Sequence, residues 1–165
     1  PWYRKMNPNG LVPTIEDDGL VLWESNTIVR YLASKHGPSA MSPADPGRRA
    51  ASEKWMDWTL STLHMPYRDL FWGLVRTPPE KRNLEQIEAA RKKCGELWAM
   101  VDAALEGRQY LIGDQPSVGD IPVGCFAYGW YSMLIERPAM KNLDAWYRRL
   151  CDRPAYRKHV MLPLT

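Results

Sequence analysis

The most informative stretch of this chain is Asn7-Pro8-Asn9-Gly10-Leu11-Val12-Pro13-Thr14-Ile15, which continues as Glu16-Asp17-Asp18-Gly19-Leu20-Val21-Leu22-Trp23-Glu24-Ser25. Residues 14–16 and 20–23 have strand-like composition, and the Asp-Gly pair between them favours a tight hairpin turn. After Ser25, apolar Ile28, Tyr31 and Leu32 follow helical spacing until Gly37-Pro38 ends the pattern. The stretch therefore predicts a β-hairpin followed directly by a helix.

Pro13 restricts the residue before it. Because a proline ring disfavours helical geometry at the preceding position, we expect Val12 to be extended, with its N–H and C=O facing outward. A peptide laid antiparallel to Val12 would exchange two main-chain hydrogen bonds with it, as an added strand does at a sheet edge. A cis Val12-Pro13 bond would expose this edge in a tight turn, although only about 5–6% of X-Pro bonds are cis.

Ser25 is predicted at the amino end of the helix. Free backbone N–H groups, the positive end of the helix dipole and a hydroxyl would meet there, and together they favour a bound carboxylate. Glu24, one residue earlier, could receive an ammonium group of the same ligand. A serine at this position is most often a plain N-cap, and a lone glutamate is most often a solvated charge. The Val12-Pro13 pair upstream favours ligand binding instead.

Other motifs accompany these two pairs: Asn7-Pro8-x-Gly10 before them, then Ser117-x-x-Asp120 and Arg153-Pro154-Ala155-Tyr156. In this order the motifs resemble those of the cytosolic glutathione transferases, of the bacterial or theta-like kind. The resemblance covers nearly the whole chain. It implies that Val12 binds the cysteinyl backbone of glutathione beside a cis Pro13, and that Glu24-Ser25 holds the γ-glutamyl end.

The resemblance also implies the fold. It predicts an α+β start over residues 1–36, the hairpin and helix of a partial thioredoxin-like domain, then a linker over residues 37–44 and an all-α helical domain over residues 45–165. Family members begin with a strand-helix-strand unit, which occupies about 30 or more residues and carries the residue that contacts the glutathione sulfur. This chain starts after that unit, so we expect a longer natural polypeptide. The catalytic thiol-activating residue is unknown.

The leading functional hypothesis is a glutathione transferase, in which glutathione is the co-substrate and its thiolate is conjugated to a hydrophobic electrophile, as in detoxification. The alternative is a non-catalytic binding or assembly module with the same fold. Leu11 favours the alternative, since many relatives carry lysine or glutamine there to hold the glycyl carboxylate of glutathione. Glu24 and Ser25 favour the transferase.

The resemblance implies a hydrophobic co-substrate pocket built by the helical domain. Its candidate residues are Trp58, Met65, Tyr67, Trp72, Trp130 and Tyr131. Each also fits an ordinary core or interface position, because large aromatic side chains dominate burial. The resemblance further implies a homodimer through the helix of residues 25–36 and the first long helix, whose aromatic content suits a contact face. The resemblance also implies that Asp57 on that helix approaches the glutathione of the partner subunit. The alternative is that Asp57 is an ordinary surface carboxylate.

The rest of the chain predicts helices separated by proline and glycine. Asp45-Pro46 is a cap with proline at the first helical position, and Pro66 should kink or break the helix that follows. Thr77-Pro78-Pro79-Glu80 fits a capping box for the next helix, which Gly107 should end.

Ser117-Val118-Gly119-Asp120 predicts the start of a buried helix. We expect the Ser117 oxygen to accept the Asp120 amide while the carboxylate of Asp120 accepts the amide of Ser117. Small residues at 124, 125, 127 and 129 should let neighbouring helices pack closely against this one. The last predicted helix carries Leu143 to Cys151 and ends before Arg153-Pro154.

Composition excludes several classes of protein. The net charge of +3 is too small to argue for nucleic-acid binding. No apolar run approaches the 18 or more residues of a membrane helix, and residues 1–5 lack the apolar stretch of a signal peptide. The three cysteines, Cys94, Cys125 and Cys151, lie far apart in the sequence. Their odd number and their spacing indicate core thiols and argue against a disulfide framework or a metal site. We expect a cytoplasmic protein.

Overall fold

The computed structural model describes residues 2–38 and 40–165. Pro1, in the predicted first unit, and Ser39, in the predicted linker, lie outside the described residues. The elements in chain order are α1 (Tyr3–Met6), β1 (Thr14–Asp17), β2 (Leu20–Trp23), α2 (Ser25–His36), α3 (Pro46–Trp58), α4 (His64–Phe71), α5 (Leu84–Ala104), α6 (Asp120–Ser132), α7 (Lys141–Cys151) and α8 (Pro154–His159). A small sheet with a helix therefore precedes a helical assembly, as the sequence predicted.

The hairpin forms as predicted. Strands β1 and β2 pair antiparallel, with Thr14 opposite Trp23 and Asp17 opposite Leu20. The two connecting residues, Asp18 and Gly19, both have positive φ, 50° and 81°. This is the backbone of the tight turn that an Asp-Gly pair favours, because its twist matches that of the flanking strands.

Helix α2 is tied to the hairpin on one side and to α3 on the other. Tyr31 donates its hydroxyl hydrogen to the carboxylate of Asp17 at 2.8 Å, and Lys35 reaches the same oxygen at 2.7 Å. On the opposite side the buried amide of Asn26 donates to the carbonyl of Met56 at 2.9 Å. Helix α2 is therefore held between the sheet, through its second half, and the helical assembly, through its first turn.

Helix α3 begins where the sequence indicated, since the Asp45 carboxylate accepts the Arg48 amide at 2.7 Å. Of the two outcomes expected at Pro66, a kink or a break, the break does not occur, because the chain stays helical through this proline, inside α4. The irregularity lies just before it, where residues 59–63 form a π-helical turn and the His64 amide bonds to the Thr59 carbonyl. This wider turn changes the hydrogen-bond register ahead of the residue that cannot donate.

The capping box predicted at Thr77 is also wrong. Only a short 3-10 turn, Pro79–Lys81, begins here, at the second proline, and it has no side-chain cap. The long helix α5 begins at Leu84, six residues later than a helix capped by Thr77 would, and there the Asn83 side chain accepts the Gln86 amide at 3.1 Å. Gly107, with φ of 68°, lies just past the end of α5 as expected.

The core lies among helices α4 to α7. Its largest fully buried side chains are tryptophans, one from each of α5, α6 and α7: Trp98, Trp130 and Trp146. Helix α6 approaches its neighbours through small residues, as expected. A Cβ atom on Gly129 would overlap the hydroxyl of Tyr67, so only glycine fits between α6 and α4 at this point. The short helix α8 was not predicted, and it is joined to the first half of α6 by a 2.7 Å hydrogen bond from the Tyr156 hydroxyl to the Gly124 carbonyl.

Asp120 is the polar centre of this core. It is 3% exposed, and its carboxylate accepts the Ser117 amide at 2.8 Å, the Leu111 amide at 3.1 Å and the Trp146 indole N–H at 2.8 Å. The Ser117 hydroxyl donates to the same carboxylate, whereas we had expected it to accept an amide. Burial raises the pKa of Asp120 above its ordinary value, although the four donors oppose this shift. The residue joins the loop before α6, the start of α6 and helix α7.

Other sequence-based exclusions can be compared with the described residues. None of the helices that they form combines the length and the apolar character needed to cross a bilayer. All three cysteines are free thiols. Within residues 2–38 and 40–165, histidine, cysteine and acidic side chains form no cluster suited to a metal ion.

Replacing Asp120 with alanine should destabilise the fold by about 3 kcal/mol or more, because it leaves several buried donors without an acceptor. This exceeds the effect expected of a helix cap, which is about 0.5–2 kcal/mol. The exposed cap Asp45 provides the matched control, since Asp45→Ala removes a single hydrogen bond. Urea unfolding of both variants measures the difference, and equal losses of stability would show that Asp120 acts only as a cap.

Candidate functional site

The loop before Val12 is shaped by Asn7, which is 3% exposed. Its amide nitrogen donates to the Leu11 carbonyl at 2.7 Å and to the Thr14 hydroxyl at 3.2 Å. Its amide oxygen accepts the Asn9 backbone N–H at 3.1 Å. This single buried side chain therefore bonds to the start of the loop, at Asn9, and to its end, at Leu11 and Thr14. Gly10, with φ of 69°, supplies the left-handed turn between them.

The Leu11 carbonyl accepts a second hydrogen bond, from the Tyr3 hydroxyl at 2.6 Å. Both lone pairs of this oxygen are therefore used inside the protein. The side chains of Leu11 and Val12 remain outside, 69% and 84% exposed. Helix α1, which carries Tyr3, fixes the approach to the turn in this way.

The Val12-Pro13 peptide bond is cis, as expected. Thr14 enters β1 directly after it, so Val12 lies in a bend two residues ahead of the strand, at the open end of the hairpin. A main-chain edge that is this exposed is available for pairing with an extended peptide.

Glu24 joins β2 to α2 with an unusual backbone. Its φ is 74° and its ψ is 112°, a combination that side chains with a Cβ rarely adopt and that costs of order 1–3 kcal/mol. Such strain persists only where the surrounding structure imposes it, and it is concentrated at binding and active sites. Glu24 occupies the cap position of α2 but makes no side-chain cap hydrogen bond, so its carboxylate is free to meet a ligand.

Ser25 is the first residue of α2 and is exposed. The plain N-cap function that we weighed for this serine belongs by position to Glu24 instead. The first amides of a helix have no partners within it, and they lie at the positive end of the helix dipole. The beginning of this 12-residue helix therefore offers N–H groups and a hydroxyl to an anion.

These features meet in one cavity of about 280 Å³, just below the range of about 300–1,000 Å³ that is typical of ligand pockets. It is lined by Asn7, Asn9, Leu11, Val12, Pro13, Glu24 and Ser25. All four residues predicted to bind glutathione, Val12, Pro13, Glu24 and Ser25, lie together here. The sole formal charge among the seven lining side chains is that of Glu24.

Sequence reasoning did not assign Asn7 and Asn9 to the site. The signal was present in Asn7-Pro8-Asn9-Gly10, because an asparagine side chain that accepts a backbone N–H two residues on is a common turn-forming device. Its buried position could not be foreseen, since a polar amide in a turn is usually exposed.

The six residues predicted for a co-substrate pocket lie apart from this cavity. Trp58, half-buried at the end of α3, packs edge-on against Trp55 with ring centroids 5.4 Å apart. On α4, Met65 is 50% exposed, whereas Tyr67 is half-buried between Phe71 and Phe126. Burial raises the pKa of Tyr67, which stays protonated at neutral pH.

The remaining three candidates are dispersed. Trp72 is 59% exposed and lines a separate cavity of about 200 Å³ with Asp69 and Ile87. Trp130 is 1% exposed in the core. Tyr131 stacks on Tyr147 with ring centroids 4.2 Å apart and donates to Asp144. Their assignment to one pocket stays a prediction.

Comparison with protein families matches both parts of the chain. The family model described as Glutathione S-transferase, N-terminal domain, matches residues 1–35. The model described as Glutathione S-transferase, C-terminal domain, matches residues 60–154.

Individual relatives agree. The chain is 46% identical over 165 residues to glutathione S-transferase GstB of Escherichia coli K12, covering 99% of this chain and 79% of that protein. It is 30% identical over 151 residues to glutathione S-transferase D6 of Drosophila melanogaster, covering 90% of this chain and 67% of that protein. Among solved structures, it superimposes with a TM-score of 0.95 and 53% identity on the glutathione-bound theta class enzyme of Xanthomonas axonopodis pv. citri. That match covers 100% of this chain and 79% of the other.

The strained backbone at Glu24 predicts an unusual order of stabilities. Glu24→Gly should be more stable than Glu24→Ala by about 1 kcal/mol, because both lose the carboxylate but only glycine adopts positive φ without strain. Ser34, which is exposed inside α2, is the control, because there the alanine variant should be more stable than the glycine variant by about 1 kcal/mol. Chemical denaturation of the four variants tests this. The same order at both positions would contradict it.

Proposed function

Because this chain belongs to the glutathione S-transferase family, we propose that it binds glutathione in the cavity beside Val12 and conjugates the glutathione sulfur to a hydrophobic electrophile. One observation carries the proposal: a single cavity joins the Val12 main chain, the start of α2 and the Glu24 carboxylate. These three groups complement an extended peptide, a carboxylate and an ammonium group. Glutathione carries all three.

The γ-glutamyl end of glutathione has the strongest partners in this arrangement. Its carboxylate would accept hydrogen bonds from the first amides of α2 and from the Ser25 hydroxyl, where the helix dipole favours negative charge. Its ammonium group would face Glu24. Because the Glu24 side chain makes no cap hydrogen bond, its pairing with the ammonium group breaks no such bond within the protein.

The cysteinyl residue would lie along Val12. Two main-chain hydrogen bonds there would fix the direction of the tripeptide and the position of its sulfur, whatever side chain Val12 carries. Holding the sulfur in a fixed place converts an encounter in solution into a reaction between oriented partners.

In the reaction the glutathione thiolate forms a bond to the electrophilic atom, and the leaving group, where there is one, departs with the bonding electrons. A group that donates a hydrogen bond to the thiolate lowers the thiol pKa. The seven lining residues orient the tripeptide but offer no tyrosine or cationic side chain for this purpose. We propose that a residue outside this set stabilises the thiolate.

We propose that the electrophile binds to the helical part of the chain, around those co-substrate candidates that are accessible to a ligand. Met65 and Trp72 are at least half exposed on or next to α4, and Tyr67 is half-buried between them.

The homodimer through α2 and α3 and the cytoplasmic location remain predictions. A non-catalytic module would bind glutathione without turnover, so a conjugation assay with a model electrophile separates the two hypotheses.

Ser25→Ala in the complete protein should raise the KM for glutathione about tenfold, the effect of losing one hydrogen bond to a charged group. The kcat should change little, because the γ-glutamyl contact is equally strong in the ground and transition states. Exposed Ser34 lies in the same helix, so Ser34→Ala is the matched control. Steady-state kinetics with varied glutathione gives both constants, and unchanged KM in Ser25→Ala would remove the carboxylate assignment.

A further inference from the structure

Four polar groups close a ring of hydrogen bonds around the turn that carries Val12. The Tyr3 hydroxyl donates to the Leu11 carbonyl at 2.6 Å, and the Asn7 amide nitrogen donates to the same oxygen at 2.7 Å. The second hydrogen of that nitrogen goes to the Thr14 hydroxyl oxygen at 3.2 Å. The ring closes between Thr14 and Tyr3, whose hydroxyl oxygens are 2.8 Å apart.

The donors and acceptors of this ring are matched. Because the Tyr3 hydroxyl hydrogen is used on Leu11, the tyrosine oxygen accepts, and the Thr14 hydroxyl donates to it. The Thr14 oxygen in turn accepts from Asn7. Hydrogen bonds linked in this way strengthen one another. The ring includes one residue on each side of the turn, Leu11 before it and Thr14 after it, so it holds both sides together.

The ring also fixes the direction of the Val12 N–H. The Leu11 carbonyl and the Val12 N–H belong to one planar trans peptide unit, in which the two bonds point in opposite directions. Since the carbonyl is directed at Tyr3 and Asn7, the N–H is directed away from them. Leu11 and Val12 both line the proposed glutathione cavity, and Val12 is exposed. This orientation suits a donor that serves a bound ligand.

We propose that Tyr3 is a positioning residue for the proposed reaction, and that its hydroxyl aims the Val12 N–H at the cysteinyl residue of glutathione. This inference rests on the proposed function. If the Leu11 carbonyl lost one of its two donors, the Leu11–Val12 peptide unit could rotate, and only a fraction of the molecules would present the N–H correctly. Glutathione would then bind more weakly in proportion to that fraction.

Tyr3→Phe is the sharpest change, because it removes one oxygen atom and keeps the aromatic side chain. Asn7 is less suitable, since its amide oxygen also accepts the Asn9 N–H and a change there would alter the whole loop. Tyr31→Phe is the matched control. It removes the 2.8 Å hydroxyl bond to Asp17, which lies in the same N-terminal unit but outside the residues that line the cavity.

Steady-state kinetics of the complete protein, with a model electrophile and varied glutathione, provides the first readout. Tyr3→Phe should raise the KM for glutathione about three- to tenfold, the effect of one neutral hydrogen bond. The kcat should stay within about twofold of the native value, because bound glutathione restores the native orientation before the reaction. Tyr31→Phe should leave both constants unchanged, although it lowers the melting temperature to a similar extent.

The amide resonance of Val12 provides a second readout, which a general loss of stability would not move. In an amide NMR spectrum of the free protein, this resonance should shift in Tyr3→Phe and stay in place in Tyr31→Phe. Saturating glutathione should bring the resonance in Tyr3→Phe to its position in the native complex, because the ligand selects the correct orientation.

The outcomes separate this inference from the proposed function. If the native protein does not bind glutathione, the proposed function fails. If it binds glutathione and Tyr3→Phe shows the native KM, the inference is overturned while the proposed function stands. An equal rise of the KM in Tyr3→Phe and Tyr31→Phe would overturn the inference as well, because the Tyr3 hydroxyl would then act only through the stability of the N-terminal unit. An unshifted Val12 resonance in free Tyr3→Phe would also contradict it.

Discussion

The buried carboxylate of Asp120 organises the helical part of this protein, and a series of buried polar contacts connects that part to the candidate site. Next to Asp120, the Gly119 amide donates to the Ser52 hydroxyl of α3 at 3.0 Å. One turn further along α3, the Met56 carbonyl accepts the side chain of Asn26 in α2. Because buried polar groups are costly without partners, each of these bonds specifies one alignment of its two elements. The amino end of α2 therefore has a position defined by the core.

The other half of the site depends on local bonds. Asn7 and Tyr3 both act on the Leu11 carbonyl, and they hold the loop that presents Val12. The two halves meet at Glu24, whose backbone has the strained conformation that connects β2 to α2. A rigid helix end and a locally pinned loop thus form one cavity, and the strain at their junction is offset by bonds on both sides.

Sequence reasoning predicted the elements whose cause is local. The Asp18-Gly19 turn, the helix start after Glu24 and the cap at Asp45 each depend on a few adjacent residues, and all were found. The four glutathione-binding candidates were recognised because their motif is contiguous in two short segments. Their meeting in one cavity follows from the hairpin that joins those segments.

The wrong predictions concern places where the backbone or a side chain departs from the simplest local rule. Pro66 does not end its helix, because a π-helical turn ahead of it changes the bonding register. The Ser117 hydroxyl bonds to the carboxylate of Asp120 itself, a choice made by the buried surroundings. Whether the six co-substrate candidates share one pocket stays a prediction, because spacing along the chain cannot say which of them face the same surface.

The proposed recognition by the Val12 main chain has an evolutionary consequence. A side chain that is 84% exposed and not needed for the hydrogen bonds can drift under mutation with little loss. Purifying selection should instead act on Asn7, whose buried side chain determines the path of this backbone through its hydrogen bonds. In such a protein the residues that vary least would be those that shape the loop, and the ones nearest the ligand could be among the most variable.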